Sequence, residues 1–177
     1  MPPIQVIPYD PAWPDEFSRE ASNITRALGS FAITLQHIGS TSIPGIWAKP
    51  IIDLLGSVEQ IEECDGHNAT FASLGYEPMG EFGIAGRRYF RKITAAGVRT
   101  HHLHVFQVGS PQIARHLAFR DFLRAHPVHA RAYAALKRKL AAQFPHDLDG
   151  YCDGKDAFIR EMDAKAATWV ERLGEGR

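Results

Sequence analysis

The sequence predicts an α+β fold, a mixed β-sheet flanked by helices with C-terminal helices packed alongside. Three observations carry the prediction. Short apolar segments, punctuated by glycine and proline, fall between residues 31 and 108. Nearly everything after Pro111 carries apolar residues at helical spacing. The length, 177 residues, suits one domain over 1–177, with a sheet-containing core at 1–110 and a helical part at 111–177. A chain of this size buries roughly 70% of its unfolded surface and needs no disulfide or metal to fold.

Taken in order, Ile4–Tyr9 alternates weakly and reads as an edge strand or an extended arm. Pro11 and Pro14 open a helix that Asp10 is placed to cap. Phe17, Ala21, Ile24 and Leu28 form its apolar stripe, and Gly29 ends it. Phe31–Ile38 reads as a strand, with Ile33, Leu35 and His37 on one face and Thr34 and Gln36 on the other. Gly39–Gly45 is small and polar, a tight loop or a single helical turn. Pro50–Leu55 is an apolar run with one carboxylate, short enough for a buried strand. Glu59–Leu74 predicts a helix closed by Gly75. Strands and turns follow from Tyr76, with a glycine-rich hairpin or loop at Glu81–Gly86. Arg87–Ile93 and Val98–Val108 read as two strands joined across Ala95–Gly97. Three helices follow: Ile113–Ala125, one opened by Pro127 with Tyr133, Leu136 and Leu140 on a stripe, and Asp156–Leu173.

Twenty Lys+Arg balance twenty Asp+Glu. Zero net charge argues against a nucleic-acid partner, because phosphate neutralisation needs a cationic surplus. One small anionic ligand remains compatible. Cys64 and Cys152 form no metal-binding or disulfide pattern. The start, Met1-Pro2-Pro3-Ile4, has no basic segment leading into an apolar core, so no leader is expected. No apolar run approaches the ~20 residues of a membrane span. Cytoplasmic placement without a membrane partner is the expectation. The apolar stripes do not exceed what an internal core needs, so they leave the oligomeric state open.

Two segments depart from the pattern their surroundings set. In the first, a strand runs into Gly39-Ser40-Thr41, whose backbone N–H groups and hydroxyls can cradle a phosphate. Asp53 then sits inside an apolar strand, where a lone carboxylate must be paired, hydrogen-bonded or bound to a cation. Lys49 lies between and can reach the carboxylate or a phosphate; a cap or salt bridge to Lys49 is the plain alternative for Asp53. The second segment is Thr100–Phe106. On a strand, His102 and His104 share one face about 7 Å apart, while Leu103 and Val105 fill the other. Such a pair can share a metal or a phosphate, or relay a proton, or else be hydrogen-bonded scaffold. His116, His126, His129 and His146 read as solvent-facing or helix-capping. Arg87-Arg88 and Arg91-Lys92 read as a solvated face unless they open onto the same cleft as Asp53.

His37–Gly45 and Ala48–Asp53 together resemble the signature of the GrpB family. The resemblance continues through Leu74–Tyr76, Arg87–Phe90, His102–Val105, Phe119–Arg124, Tyr133, Leu136-Lys137 and Tyr151–Lys155, nearly the whole chain. It implies a nucleotidyltransferase-like fold related to the polymerase-beta type. In such enzymes a Gly-Ser at a helix start holds the nucleoside triphosphate, two carboxylates on the next strand hold divalent metal, and a third acts from a later strand. Gly39-Ser40 and Asp53 match. Leu55 stands where the second acid belongs, and His104 where the third does. The implied cofactor is a divalent metal (Mg, Mn or Zn), and the implied partner is a small nucleotide or phosphorylated molecule. The expected site then comprises Asp53, His102 and His104 as catalytic and metal-binding residues. Gly39, Ser40, Thr41, Lys49, Arg88 and Lys155 serve the phosphates, with Asp65 and Glu81 as further acids without a set place. The implied function is nucleotidyl or phosphoryl transfer. The alternative is an inactive nucleotide- or cofactor-binding module, since similar domains occur fused to dephospho-coenzyme A kinase.

Overall fold

The computed structural model describes residues 3–175. Met1 and Pro2, where the leader-free reading begins, and the last two residues of the 1–177 unit lie outside them. The order of elements is α1 (Trp13–Leu28), β1 (Thr34–Ile38), β2 (Ile52–Val58), α2 (Asn68–Ser73), β3 (Tyr76–Pro78), β4 (Arg88–Ile93), β5 (Arg99–Gln107), α3 (Pro111–Ala125), α4 (Pro127–Gln143) and α5 (Leu148–Glu175). Among the described residues no helix is long and apolar enough to cross a membrane.

The strands form one mixed sheet in the order β1-β2-β5-β4-β3. Only β2 and β5 are parallel; every other neighbouring pair is antiparallel. The period-two alternation of strands divides the molecule into two layers. Ile52, Leu54, Leu103, Val105 and Phe90 face one side and pack with Ile24 and Leu28 of α1 and with Phe71 of α2. Leu55 and Phe106 face the other side, with Ile38, under Ile113 and Leu117 of α3. A separate helical core joins Phe122 and Leu123 of α3, Tyr133 and Ala134 of α4, and Met162 and Ala166 of α5.

Several expectations take a different form. Of the two readings of residues 4–9 the structure takes the extended arm: one antiparallel bridge joins Ile7 to Ala48, and Ile4 N donates to Pro145 O at 2.7 Å. Asp10 does not cap α1; its carboxylate accepts from Ala12 N at 2.8 Å, and Ala12 itself takes the cap position. The predicted helix over Glu59–Leu74 divides into a 3-10 segment, Ile61–His67, and the short α2. The last helix begins at Leu148 and takes in Gly150 and Gly154 despite their poor propensity. Tertiary packing decides this: a side chain at Gly154 would overlap Leu140, so glycine lets α5 approach α4 closely. Lys155 therefore lies well inside α5, not at its start.

His37 and His116 are held neutral by the packing. Burial drops His37 from 6.5 to about 4, and His116 to about 3. Both folded values lie below the unfolded one, so the stability they contribute is complete above pH 6.5 and is lost as pH falls towards 4, where unfolded rings take up protons that the folded chain refuses. Each ring then costs about 1.4 kcal/mol per pH unit. Urea denaturation between about pH 7 and about pH 5 should show a falling midpoint; a flat midpoint would mean that both rings ionise freely in the fold. Leu103 is 0% exposed on the central strand. Leu103→Ala should cost about 2–5 kcal/mol by the same measurement, through lost transfer energy and a residual cavity.

Candidate functional site

The site grows from the parallel pairing of β2 and β5. Their register sets Asp53 opposite His102 and Leu55 opposite His104, with all four side chains on the α3 side of the sheet. His102 Nδ1 lies 3.1 Å from Asp53 Oδ1, and His104 Nε2 lies 3.8 Å from it. The two ring centroids are 6.4 Å apart. Asp53 is therefore not partnered by Lys49, the plain alternative. Burial alone would raise its pKa, but the hydrogen bond from His102 and the nearness of His104 hold the carboxyl well below the usual range. Burial also lowers His104.

Gly39 and the single 3-10 turn Ser40–Ser42 abut this carboxylate. Gly39 has φ 71°, and a Cβ there would overlap the Asp53 carboxylate, so conformation and space both demand glycine. From outside, Arg124 Nε and Nη2 donate to Ser42 O at 2.9 and 2.7 Å, and Arg120 Nη1 donates to His37 O at 3.1 Å. Those α3 arginines fix the turn against the sheet.

A cleft of about 600 Å³ opens between sheet and helices. Gly39, Ser40, Lys49, Asp53, His102 and Lys155 all border it. His104 joins them through Asp53. Two expected phosphate ligands do not. Thr41 is 1% exposed, its hydroxyl engaged with His37 Nε2 at 2.9 Å and Ile51 O at 3.2 Å. Arg88 alternates with Tyr89 onto the opposite face of the sheet, where Asp65 takes its guanidinium at 2.6 and 2.8 Å. That pair also removes Asp65 from the metal candidates. Glu81 is likewise engaged, accepting from Gly86 N at 2.7 Å. The arginines facing the site are its neighbours: Arg91 and Arg99 line the cleft, and Arg87 Nη1 stands 3.4 Å from His104 Nδ1.

The helical wall of the site carries, besides the expected Lys155, a second lysine. Lys137 of α4 is 3% exposed, lines the cleft and has no hydrogen-bond partner for Nζ among the described residues. Burial, with Lys155 close by, pushes its amine down to about 7. Its Nζ lies 4.4 Å from the centroid of Tyr133, one turn earlier. The signal was present: Lys137 follows Tyr133 by four, which places a charge on the apolar stripe. Tyr151 Oη is also buried and unpartnered, and Lys155 and Lys49 stand 4.3 and 5.3 Å from its ring centroid. His116, expected in solvent or as a helix cap, is instead tucked against His104 and Phe106, with ring centroids 5.6 and 6.0 Å away. His126 does cap a helix, with Nδ1 2.7 Å from Phe122 O at the end of α3.

Asp53, His102 and His104 form a set of three metal-type donors, with ligand atoms all within 4.8 Å of one another. Their chemistry fits a divalent ion that accepts imidazole, such as zinc or manganese, better than magnesium. His102 Nε2 is buried and unpartnered, which accords with a ligand role. Seating an ion on His104 Nε2 would move that ring's proton to Nδ1 and displace Arg87 from its approach. Leu55 is 2% exposed among Ile38 and Phe106, so apolar packing fills the position of a second carboxylate.

The GrpB protein family matches residues 3–165. YqkA of Bacillus subtilis is 45% identical over 166 residues, covering 94% of this chain, which spans about half (48%) of that relative's length. A Pseudomonas aeruginosa relative, PA4798, is 40% identical over 92% of this chain and 67% of its own length. The crystal structure of GrpB from Enterococcus faecalis aligns with TM-score 0.88 and 45% identity over 94% of this chain and 99% of that one. The Cid1 poly(U) polymerase aligns with TM-score 0.53 at 11% identity, covering 78% of this chain and 44% of that one, a likeness of fold alone. The architecture is thus α+β and nucleotidyltransferase-like. With the match running from the N-terminal arm into α5 and taking in every strand, the chain belongs to the GrpB family.

Proposed function

We propose that the cleft binds a nucleotide or similar small phosphorylated molecule together with a divalent cation, and that it supports nucleotidyl or phosphoryl transfer. One observation carries this reading. Four buried polar atoms without partners among the described residues, Lys137 Nζ, Tyr151 Oη, His102 Nε2 and Arg91 Nε, belong to side chains that border one cleft. Each such atom costs about 1–3 kcal/mol unless a ligand satisfies it. Five cationic side chains (Lys49, Arg91, Arg99, Lys137 and Lys155) line that cleft against two carboxylates, Asp53 and Asp149. Arg91 is engaged by Glu77 at 2.6 Å, which leaves the lysines and Arg99 the freer charges. A polyanion is the ligand class that such a field concentrates.

In this reading Asp53, His102 and His104 hold the ion, which when bound supplies Lewis-acid polarisation of a phosphoryl oxygen. Gly39 and Ser40 bring backbone close to the phosphates. Lys49, Lys137 and Lys155 neutralise charge on the phosphate chain from the helical wall. A relative of which this chain covers 48%, at 28% identity, is named dephospho-CoA kinase, which supports a nucleotide-containing ligand. The two unpaired cysteines accord with a cytoplasmic setting. A second reading, binding without turnover, is favoured by Leu55, since a two-ion mechanism needs the carboxylate it replaces.

Calorimetry with ATP, GTP and CTP, each with magnesium, manganese or zinc, tests the proposal. Metal-dependent binding is expected, and Asp53→Asn should abolish the metal dependence; absence of heat for every pair would end the nucleotide reading. Product formation in the same mixtures separates transfer from binding alone. Lys137 supplies an independent check. Its amine is charged below about 7 and neutral above, so affinity for inorganic triphosphate should fall as pH rises through that value. Lys137→Met should weaken binding about tenfold or more at low pH and flatten the dependence. An unaltered pH profile in the variant would exclude Lys137 from the ligand.

A further inference from the structure

The two cysteines occupy opposite environments. Cys64 is 0% exposed, and burial pushes its thiol up to about 12, which leaves it inert. Cys152 is exposed and forms part of the cleft wall, beside Tyr151 on α5. Its charge when ionised acts on the amines of both Lys49 and Lys155. An exposed thiol alone is no site. What distinguishes this one is Lys137, 3% exposed, with an unpartnered amine facing the same cavity. A buried amine without a hydrogen-bond partner, charged below about 7, draws anionic groups past the thiol.

We propose that Cys152 is a modification site for small disulfides carrying carboxylate or phosphate groups, and that the resulting mixed disulfide blocks the cleft. This rests on the anion-binding reading of the cleft. The Cys152 thiolate attacks one sulfur of the disulfide. A Cys152–sulfur bond forms, the original S–S bond breaks, and the other half departs as a thiolate that takes up a proton. The disulfide is itself the oxidant, so no other redox partner is needed, and a reducing thiol reverses the step. Lys49 and Lys155 line the same cleft as the thiol. The same field, with Lys137 and Arg99, selects an anionic reagent over a cationic one. A tripeptide-sized adduct held in a cavity of about 600 Å³ leaves little room for a phosphate chain.

The full chain is treated with oxidised glutathione, which is anionic, or with cystamine, which is cationic, and adducts are located by peptide mass mapping. Triphosphate binding is then measured on the reduced, glutathionylated and Cys152→Ser proteins. The expected result is one adduct, on Cys152, formed about tenfold faster with glutathione disulfide at low salt, the gap closing at high salt. The adduct should weaken inorganic triphosphate binding about tenfold or more, while Cys152→Ser takes no adduct and binds as the reduced chain does. Equal rates for the two disulfides, modification of Cys64 instead, or an adduct that leaves triphosphate affinity unchanged would each overturn the proposal. If the reduced chain binds no triphosphate, the anion-binding reading fails, and the rate preference between the disulfides still decides whether the cleft field directs the thiol.

Discussion

The pairing of Asp53 with His102 across two parallel strands is the constraint on which the rest of the site depends. A carboxylate in an apolar strand has no stable place unless something holds its charge. The β2–β5 register provides that by setting an imidazole directly opposite, at 3.1 Å. Period-two alternation then brings His104 to the same side and sends Leu103 and Val105 into the core beneath. A one-residue slip would bury both imidazoles among Ile24, Leu54 and Phe71 and bring leucine and valine to the cleft. The hydrophobic core and the polar site thus enforce the same register from opposite faces of one sheet.

Around that pair the molecule separates two kinds of work. The sheet presents the acid, the imidazoles and the Gly39–Ser40 turn on rigid backbone. The helical part supplies cations, with Lys137 from α4 and Lys155 from α5 over the rings of Tyr133 and Tyr151. The aromatic faces give these amines partial electrostatic compensation while leaving Nζ of Lys137 without a hydrogen-bond acceptor. Such a wall presents a buried amine without a hydrogen-bond partner to the cleft. Leu55 marks the departure from ordinary two-ion transferases: it belongs to the apolar layer under α3, so a carboxylate there would cost both packing and desolvation.

Local sequence rules read the strands well because each signal is short-range. The Gly39 turn, the Asp53 strand and the same-face histidines followed from spacing alone; Gly39, Asp53 and His102 border one cleft, and His104 lies behind them, 3.8 Å from Asp53. Arg88 shows where the reading stopped. Its neighbour Tyr89 faces the cleft, so Arg88 cannot; the register of β4 against β5 settles which arginine points in, and that register is a long-range fact. Thr41 was misplaced for a related reason: its hydroxyl is taken by His37 on the preceding strand and by the Ile51 carbonyl, a partner ten residues on. The start of α5 escaped local rules because two glycines argue against helix, and only contact with Leu140 explains Gly154.

By itself the sequence determined the α+β class, the family, and the residues that carry charge into apolar strands, because alternation, turn chemistry and costly buried polar groups are written in neighbouring positions. Tertiary structure decided which of those residues meet. It turned Arg88 away to Asp65, closed Thr41 inside, and brought Lys137, Tyr151 and Arg99 to the cleft from segments distant in sequence. Strand register and helix docking are set by the whole core at once, and no local window contains them.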